Sequence, residues 1–131
     1  MFDEYRKKLE DIGANSDKVF KKVAKEGAKF FQKEAVRLTD QEKLVDTGTY
    51  KRNWVGEQAE IEGEQAIIGV NPIEYASFLE EGHKLRNGKR WRGRFVGRRA
   101  MDELRYYCIK RLDDLFDKLF TKYHQSFTQS D

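Results

Sequence analysis

Between Lys84 and Arg99 the chain carries eight basic side chains, Lys84, Arg86, Lys89, Arg90, Arg92, Arg94, Arg98 and Arg99, and no acidic one. Cations at this density, interleaved with Trp91 and Phe95 and loosened by Gly88, Gly93 and Gly97, suit two kinds of contact. They can neutralise phosphates while the aromatic planes lie on sugars or bases. They can equally pair with the acidic surface of a neighbouring protein, with Trp91 and Phe95 as anchors. Neither contact needs catalysis. Just upstream, Glu80, Glu81 and His83 stand close enough for acid–base work or for holding a divalent ion in a nuclease. Solvated glutamates at a helix end beside a turn histidine are the simpler expectation, so no catalytic and no metal-ligating residue is assigned.

Other chemistries are excluded by what the sequence lacks. His83 and His124 are the only histidines and Cys108 the only cysteine, so a zinc site of these ligands is poorly supported, carboxylates remaining as candidate ligands, and no internal disulfide can form. No phosphate-binding glycine loop or dinucleotide fingerprint is present, and no cofactor is expected. The 131 residues are 38% hydrophobic and 37% charged, with a net charge of +3, which fits one small polar domain spanning 1–131. Outside residues 84–99 the balance is 18 basic against 23 acidic, so one positive segment sits on an acidic body. No run of apolar residues approaches a membrane span, and Met1-Phe2-Asp3-Glu4-Tyr5 is unlike a signal peptide, so a cytoplasmic site of synthesis and no membrane contact are expected.

The elements that must position these residues follow from periodicity. Phe2, Tyr5, Leu9 and Ile12 predict a short helix stopped by Gly13, and Ser16 is expected to cap a second helix over Asp17 to about Leu38. Thr39 and Glu42 have capping-box spacing and predict a further turn of helix before Asp46-Thr47-Gly48, closing an N-terminal helical region, 1–45. Within 46–82, Trp54 leads into alternating Val55, Ala59 and Ile61, then a turn at Gly63, then Ala66, Ile68 and Val70: a β-hairpin with one face covered. Asn71-Pro72 should open a short helix, Ile73 to Glu81, with Tyr75, Ala76 and Leu79 inward and Gly82 as a left-handed cap. Residues 83–97 show no period and predict a long mobile basic loop. Met101, Leu104, Cys108, Leu112, Leu115 and Leu119 predict a long amphipathic helix over 98–124, frayed beyond. The fold class expected is α+β, a small hairpin-based sheet packed by a long N-terminal and a long C-terminal helix.

The ordered series Asp46-Thr47-Gly48 through Lys51-Arg52-Asn53-Trp54, Ile68-Gly69-Val70-Asn71, Glu74-Tyr75-Ala76 through Glu80-Glu81-Gly82-His83, and Gly93-Arg94-Phe95 before a helix resembles the tailed-phage neck proteins related to the tenth gene product of a lambdoid phage. The likeness runs over roughly residues 46 to 105. Asp46, Thr47, Gly48, Arg52 and Trp54 match the family's Asp-Thr-Gly turn and its basic-to-aromatic sequel. Tyr75, Ala76, Glu80, Gly82 and His83 match its Tyr-Ala-x-x-x-Glu-x-Gly-His stretch, and Gly93 and Phe95 the later motif, where Arg92 stands in place of a frequent proline.

The resemblance implies a structural protein of a phage or prophage, joining head to tail or completing the tail, and not an enzyme. It implies copies arranged in a ring, contacts with other neck and tail proteins, and a place in the virion neck or tail after assembly in the host bacterial cytoplasm. The basic loop would face packaged DNA or a neighbouring subunit. The rival from the residues alone is a stand-alone nucleic-acid-binding protein using 84–99.

Overall fold

The structure, a computed structural model, describes residues 2–44 and 48–128. Asp46 and Thr47 of the expected turn lie outside the described residues. The fold is α+β: two long helices with a small antiparallel hairpin laid across them.

Helix α1 runs unbroken from Phe2 to Gln41, about 60 Å at 1.5 Å per residue. It replaces the two helices read from Gly13 and Ser16, both of which lie inside it. A glycine in a helix costs roughly 1 kcal/mol relative to alanine, which weakens a helix without ending it. Here the partner is helix α4, Val96–Thr128, which extends past His124. The two lie antiparallel: Asn15 meets Tyr123, Phe20 meets the Phe116 ring edge-on at 5.3 Å, Glu26 pairs with Arg111, and Phe30 stacks on Tyr107 at 4.5 Å. Thr39 caps nothing. It ends α1 fully buried, its hydroxyl donating to the Ala35 carbonyl at 2.7 Å and accepting from Trp54 Nε1 at 2.9 Å.

After the one-turn helix α2, Thr49–Arg52, strands β1 (Val55–Ile61) and β2 (Glu64–Val70) pair in register from Val55↔Val70 to Ile61↔Glu64 around a Glu62-Gly63 turn. The hairpin is where the alternation predicts it, with one face covered, and that face is the one opposite the alternating apolar residues. Gly56 and Gly69, a facing pair, lie against α1: a Cβ on Gly56 would collide with the Ala28 carbonyl, and one on Gly69 with the Phe31 ring. Ile67 reaches Gly27, and Gln58 donates to the Lys21 carbonyl at 3.2 Å. The face holding Val55, Ala59, Ile61, Ala66, Ile68 and Val70 turns outward. Helix and sheet approach so closely only where side chains are small, and hydrophobic periodicity is blind to glycine.

Asn71 does not cap a helix. Its amide donates to the Tyr50 carbonyl at 2.8 Å and its oxygen accepts from the Ile73 amide at 3.3 Å, an Asx turn that delays helix α3 to Ala76–Glu81. Ala76 and Leu79 pack on the core, whereas Tyr75 is exposed. The core lies where α1, α2, α3 and the start of α4 converge, on Phe31, Ala35, Leu38, Tyr50, Trp54, Val96, Ala100 and Leu104.

Candidate functional site

The segment after α3 is not an irregular loop. Strands β3 (Gly82–Lys84) and β4 (Arg90–Arg92) pair antiparallel, His83 opposite Trp91, and the turn between them is closed by Leu85 N–H to Lys89 O at 2.7 Å and by Asn87 Oδ1 accepting from the Lys89 amide at 3.0 Å. Three-residue strands are too short to show a period, which is why the sequence presents them as a loop.

The root of this hairpin is built around Glu80. Its carboxylate accepts the amides of Gly97 at 2.7 Å and Arg98 at 2.9 Å, so it caps the N-terminus of α4 from another helix, where a negative charge is favoured. The carbonyls of Leu79 and Glu80 accept from Arg94 and Phe95 N–H at 2.9 and 3.0 Å. The chain recrosses α3 so tightly that a Cβ on Gly93 would collide with the Glu80 carbonyl. Gly82 has φ 89° and ψ 178°, an extended conformation reserved to glycine, and it opens β3 instead of forming a left-handed cap. Phe95, at φ 50°, takes the left-handed turn into α4.

Aromatic and cationic groups stack on this frame. The His83 ring lies 5.0 Å from Phe78 and 5.8 Å from Trp91, and the Arg94 guanidinium lies 5.3 Å over Trp91. Arg98 lies 5.9 Å over Phe95. Trp91 is thus engaged on its own hairpin. Glu42, just past α1, is the local counterion: Arg99 Nη1 reaches its Oε1 at 2.7 Å and Arg94 Nε its Oε2 at 3.9 Å. Arg90 donates weakly to the Glu81 carbonyl at 3.4 Å. Lys84, Arg86, Lys89 and Arg92 are exposed, and among the described residues they join no ion pair.

The basic segment therefore divides in two. Arg94, Arg98 and Arg99 are committed to the frame, while the hairpin presents Lys84, Arg86, Lys89 and Arg92 to solvent. Among the described residues no group of three or more His, Cys, Asp or Glu could hold a metal ion, and the Glu80 carboxylate is occupied by the α4 amides instead of turning to His83 or to arginines. Cys108 is half-buried against the core, and burial pushes its thiol above the usual range. No helix among the described residues is long and apolar enough to cross a membrane.

The remaining motif residues hold the core under the site. Trp54 packs edge-on to Phe31 at 5.9 Å and Tyr50 at 5.3 Å, and its ring lies against the Gly97 turn that Glu80 caps. Gly48, at φ 82°, leads into α2 with the Arg52 guanidinium against it. Sequence reasoning missed Tyr50, whose buried hydroxyl has no hydrogen-bond partner among the described residues; burial and the Glu80 charge raise its pKa. It also missed Glu42 as a counterion, and nothing in the sequence joins Glu42 to Arg99 across 57 residues.

The family described as "Bacteriophage HK97-gp10, putative tail-component" matches residues 3–82, more than half of the chain, and the chain belongs to that family. The match takes in α1 from Asp3 onward and the motif residues through Gly82. It begins well upstream of the stretch that carried the resemblance in the sequence, and it stops before the basic hairpin. No curated protein and no solved structure matches the chain significantly.

Proposed function

We propose that this member of a phage tail-component family joins head to tail or completes the tail, acting at the virion neck by protein–protein assembly and without catalysis. Its assembly surface is the β3–β4 hairpin, and its partners are other copies of the chain, arranged in a ring, together with neighbouring neck and tail proteins. The observation that carries this reading is the ordered presentation of Lys84, Arg86, Lys89 and Arg92, without counterions among the described residues, on a hairpin braced at its root by Glu80. Like charges held together repel, and a surface that keeps them so gains on meeting an acidic partner. Packaged DNA could supply that negative charge, but Trp91 already has the Arg94 guanidinium over its ring and the His83 ring beside it, contacts that compete with stacking on a base.

The test is negative-stain microscopy of particles from an induced host carrying an early stop codon in this reading frame. DNA-filled heads beside separate, otherwise complete tails are expected. Complementation by a Lys84→Glu, Arg86→Glu, Lys89→Glu, Arg92→Glu variant should fail although the protein folds; Arg94 is left intact because Glu42 and Trp91 hold it. Normal tailed virions from the stop strain would overturn the reading. Steeply salt-dependent DNA binding by the free monomer would then identify a nucleic-acid-binding protein.

A further inference from the structure

The two hairpins carry opposite charge. From Asn53 to His83 there are seven carboxylates, Glu57, Glu60, Glu62, Glu64, Glu74, Glu80 and Glu81, and no lysine or arginine; from Lys84 to Arg99 there are eight cations and no carboxylate. Glu57, Glu60, Glu62 and Glu64 belong to β1–β2 and its turn, all four are exposed, and among the described residues none is in an ion pair. Lys18 and Lys21 of α1 line the same cleft as Glu60 and Glu64, yet neither comes within ion-pair distance of them.

Within one chain the two charge clusters cannot meet. Gln58 ties β1 to the middle of α1 at Lys21, whereas Arg99 ties the basic segment to Glu42 just past the C-terminal end of that helix. At 1.5 Å per residue these anchor points stand about 30 Å apart. Three-residue strands reach only about 10 Å.

The acidic hairpin also has an apolar centre. Ile61, Ile68 and Val70 are 53%, 41% and 45% exposed on the outward sheet face, and the register sets Glu64 opposite Ile61 and Glu57 opposite Ile68. The basic hairpin has the complementary layout: Leu85, 37% exposed, stands between Lys84 and Arg86. An apolar centre with a charged rim is the anatomy of a specific protein contact.

We infer that the basic β3–β4 hairpin of one copy docks on the outward, acidic face of the β1–β2 hairpin of the next, with Leu85 seated over the Ala59–Ala66 pair, between Ile61 and Ile68. The inference rests on the assembly reading above and names the partner surface as a second copy of this chain. Contact between two different patches passes the interaction from copy to copy and closes into a ring where the rotation permits.

The experiment is sedimentation of the purified full chain across a concentration series, with two charge reversals: Lys84→Glu/Arg86→Glu/Lys89→Glu, and Glu57→Lys/Glu62→Lys/Glu64→Lys. The wild type should self-associate and dissociate in salt, and each variant, with helicity intact by circular dichroism, should associate about 100-fold more weakly, since facing like charges cost several kcal/mol. An equimolar mixture should recover association to within about tenfold, because native meets native and reversed meets reversed with opposite charges at both contacts. A wild type that stays monomeric, a reversed variant that associates like wild type, or a mixture that does not recover would each overturn the inference. Failure here leaves the stop-codon phenotype untouched. Conversely, normal virions from the stop strain beside salt-labile self-association would remove the neck role and keep the contact.

Discussion

The two hairpins show two ways of holding a short antiparallel pair on the same helices. The seven-residue strands of β1–β2 are pinned against α1 near their base by the facing Gly56–Gly69 pair, so this hairpin depends on burial and shape. The three-residue strands of β3–β4 bury little and are held at the root by the Glu80 carboxylate, backbone hydrogen bonds and a ring stack. Substitutions in the first should therefore appear as lost stability. Substitutions at the tip of the second should appear as lost contacts between molecules.

Four outcomes break or sharpen this contrast. The largest effect is expected for Gly56→Val: the side chain would meet a backbone carbonyl that cannot rotate away, and urea unfolding should register a loss of about 3 kcal/mol. Stability within 0.5 kcal/mol of wild type would mean that β1–β2 is not pinned as described. Glu80→Ala should cost about 1 to 2 kcal/mol by removing the acceptor of two α4 amides, with hydrogen exchange accelerated first at Gly97 and Arg98. Exchange unchanged at those amides would separate the hairpin root from the helix start.

The third outcome concerns the α1–α4 seam beneath both hairpins. The hydrogen bonds from Arg111, aided against burial by the charges of Arg111 and Lys22 and by a hydrogen bond from the Tyr107 hydroxyl, hold the Glu26 carboxyl below the usual range. A lowered folded-state pKa contributes stability that is present above the unfolded value and is lost as pH falls through the folded value. Thermal stability should thus decline on acidification below about pH 4.5, and Glu26→Gln should flatten that decline; an identical acid slope in the variant would locate the titration elsewhere. The smallest effect is expected for replacing Lys84, Arg86, Lys89 and Arg92 together by alanine. Stability should stay within about 0.5 kcal/mol, because exposed charges without partners contribute little. A larger loss would make the tip part of the folding unit and erase the contrast.

Much of this arrangement is legible in the residues. The turn at Glu62-Gly63, the strands on either side, the helical period of Met101 to Leu119 and the switch from acidic to basic sequence at Lys84 all depend on neighbours within a few positions. Signals misled where a local pattern had a distant use. Gly13 and Ser16 look like a helix boundary, yet α4 alongside carries the helix through them. Thr39 and Glu42 have capping-box spacing, yet one bonds Trp54 and the other Arg99. The apolar alternation of Val55 to Val70 points the wrong face at the helix, because the glycines that permit contact have no hydrophobic signature.

By itself, then, the sequence determined the helical character of the two terminal regions, the first hairpin, the α+β class, the separation of charge between two adjacent segments and the likeness to a phage family, since each depends on near neighbours or on an ordered series of residues. Only the tertiary structure decided that α1 is continuous, which sheet face is buried, that Glu80 caps α4, that residues after Gly82 form a second hairpin, and that the acidic and basic hairpins are anchored at different points along α1. The physical reason is that burial, capping across elements and ion pairing are satisfied by whichever groups packing brings together. Those groups here lie 15 to 108 positions apart in the chain, beyond the reach of any local pattern.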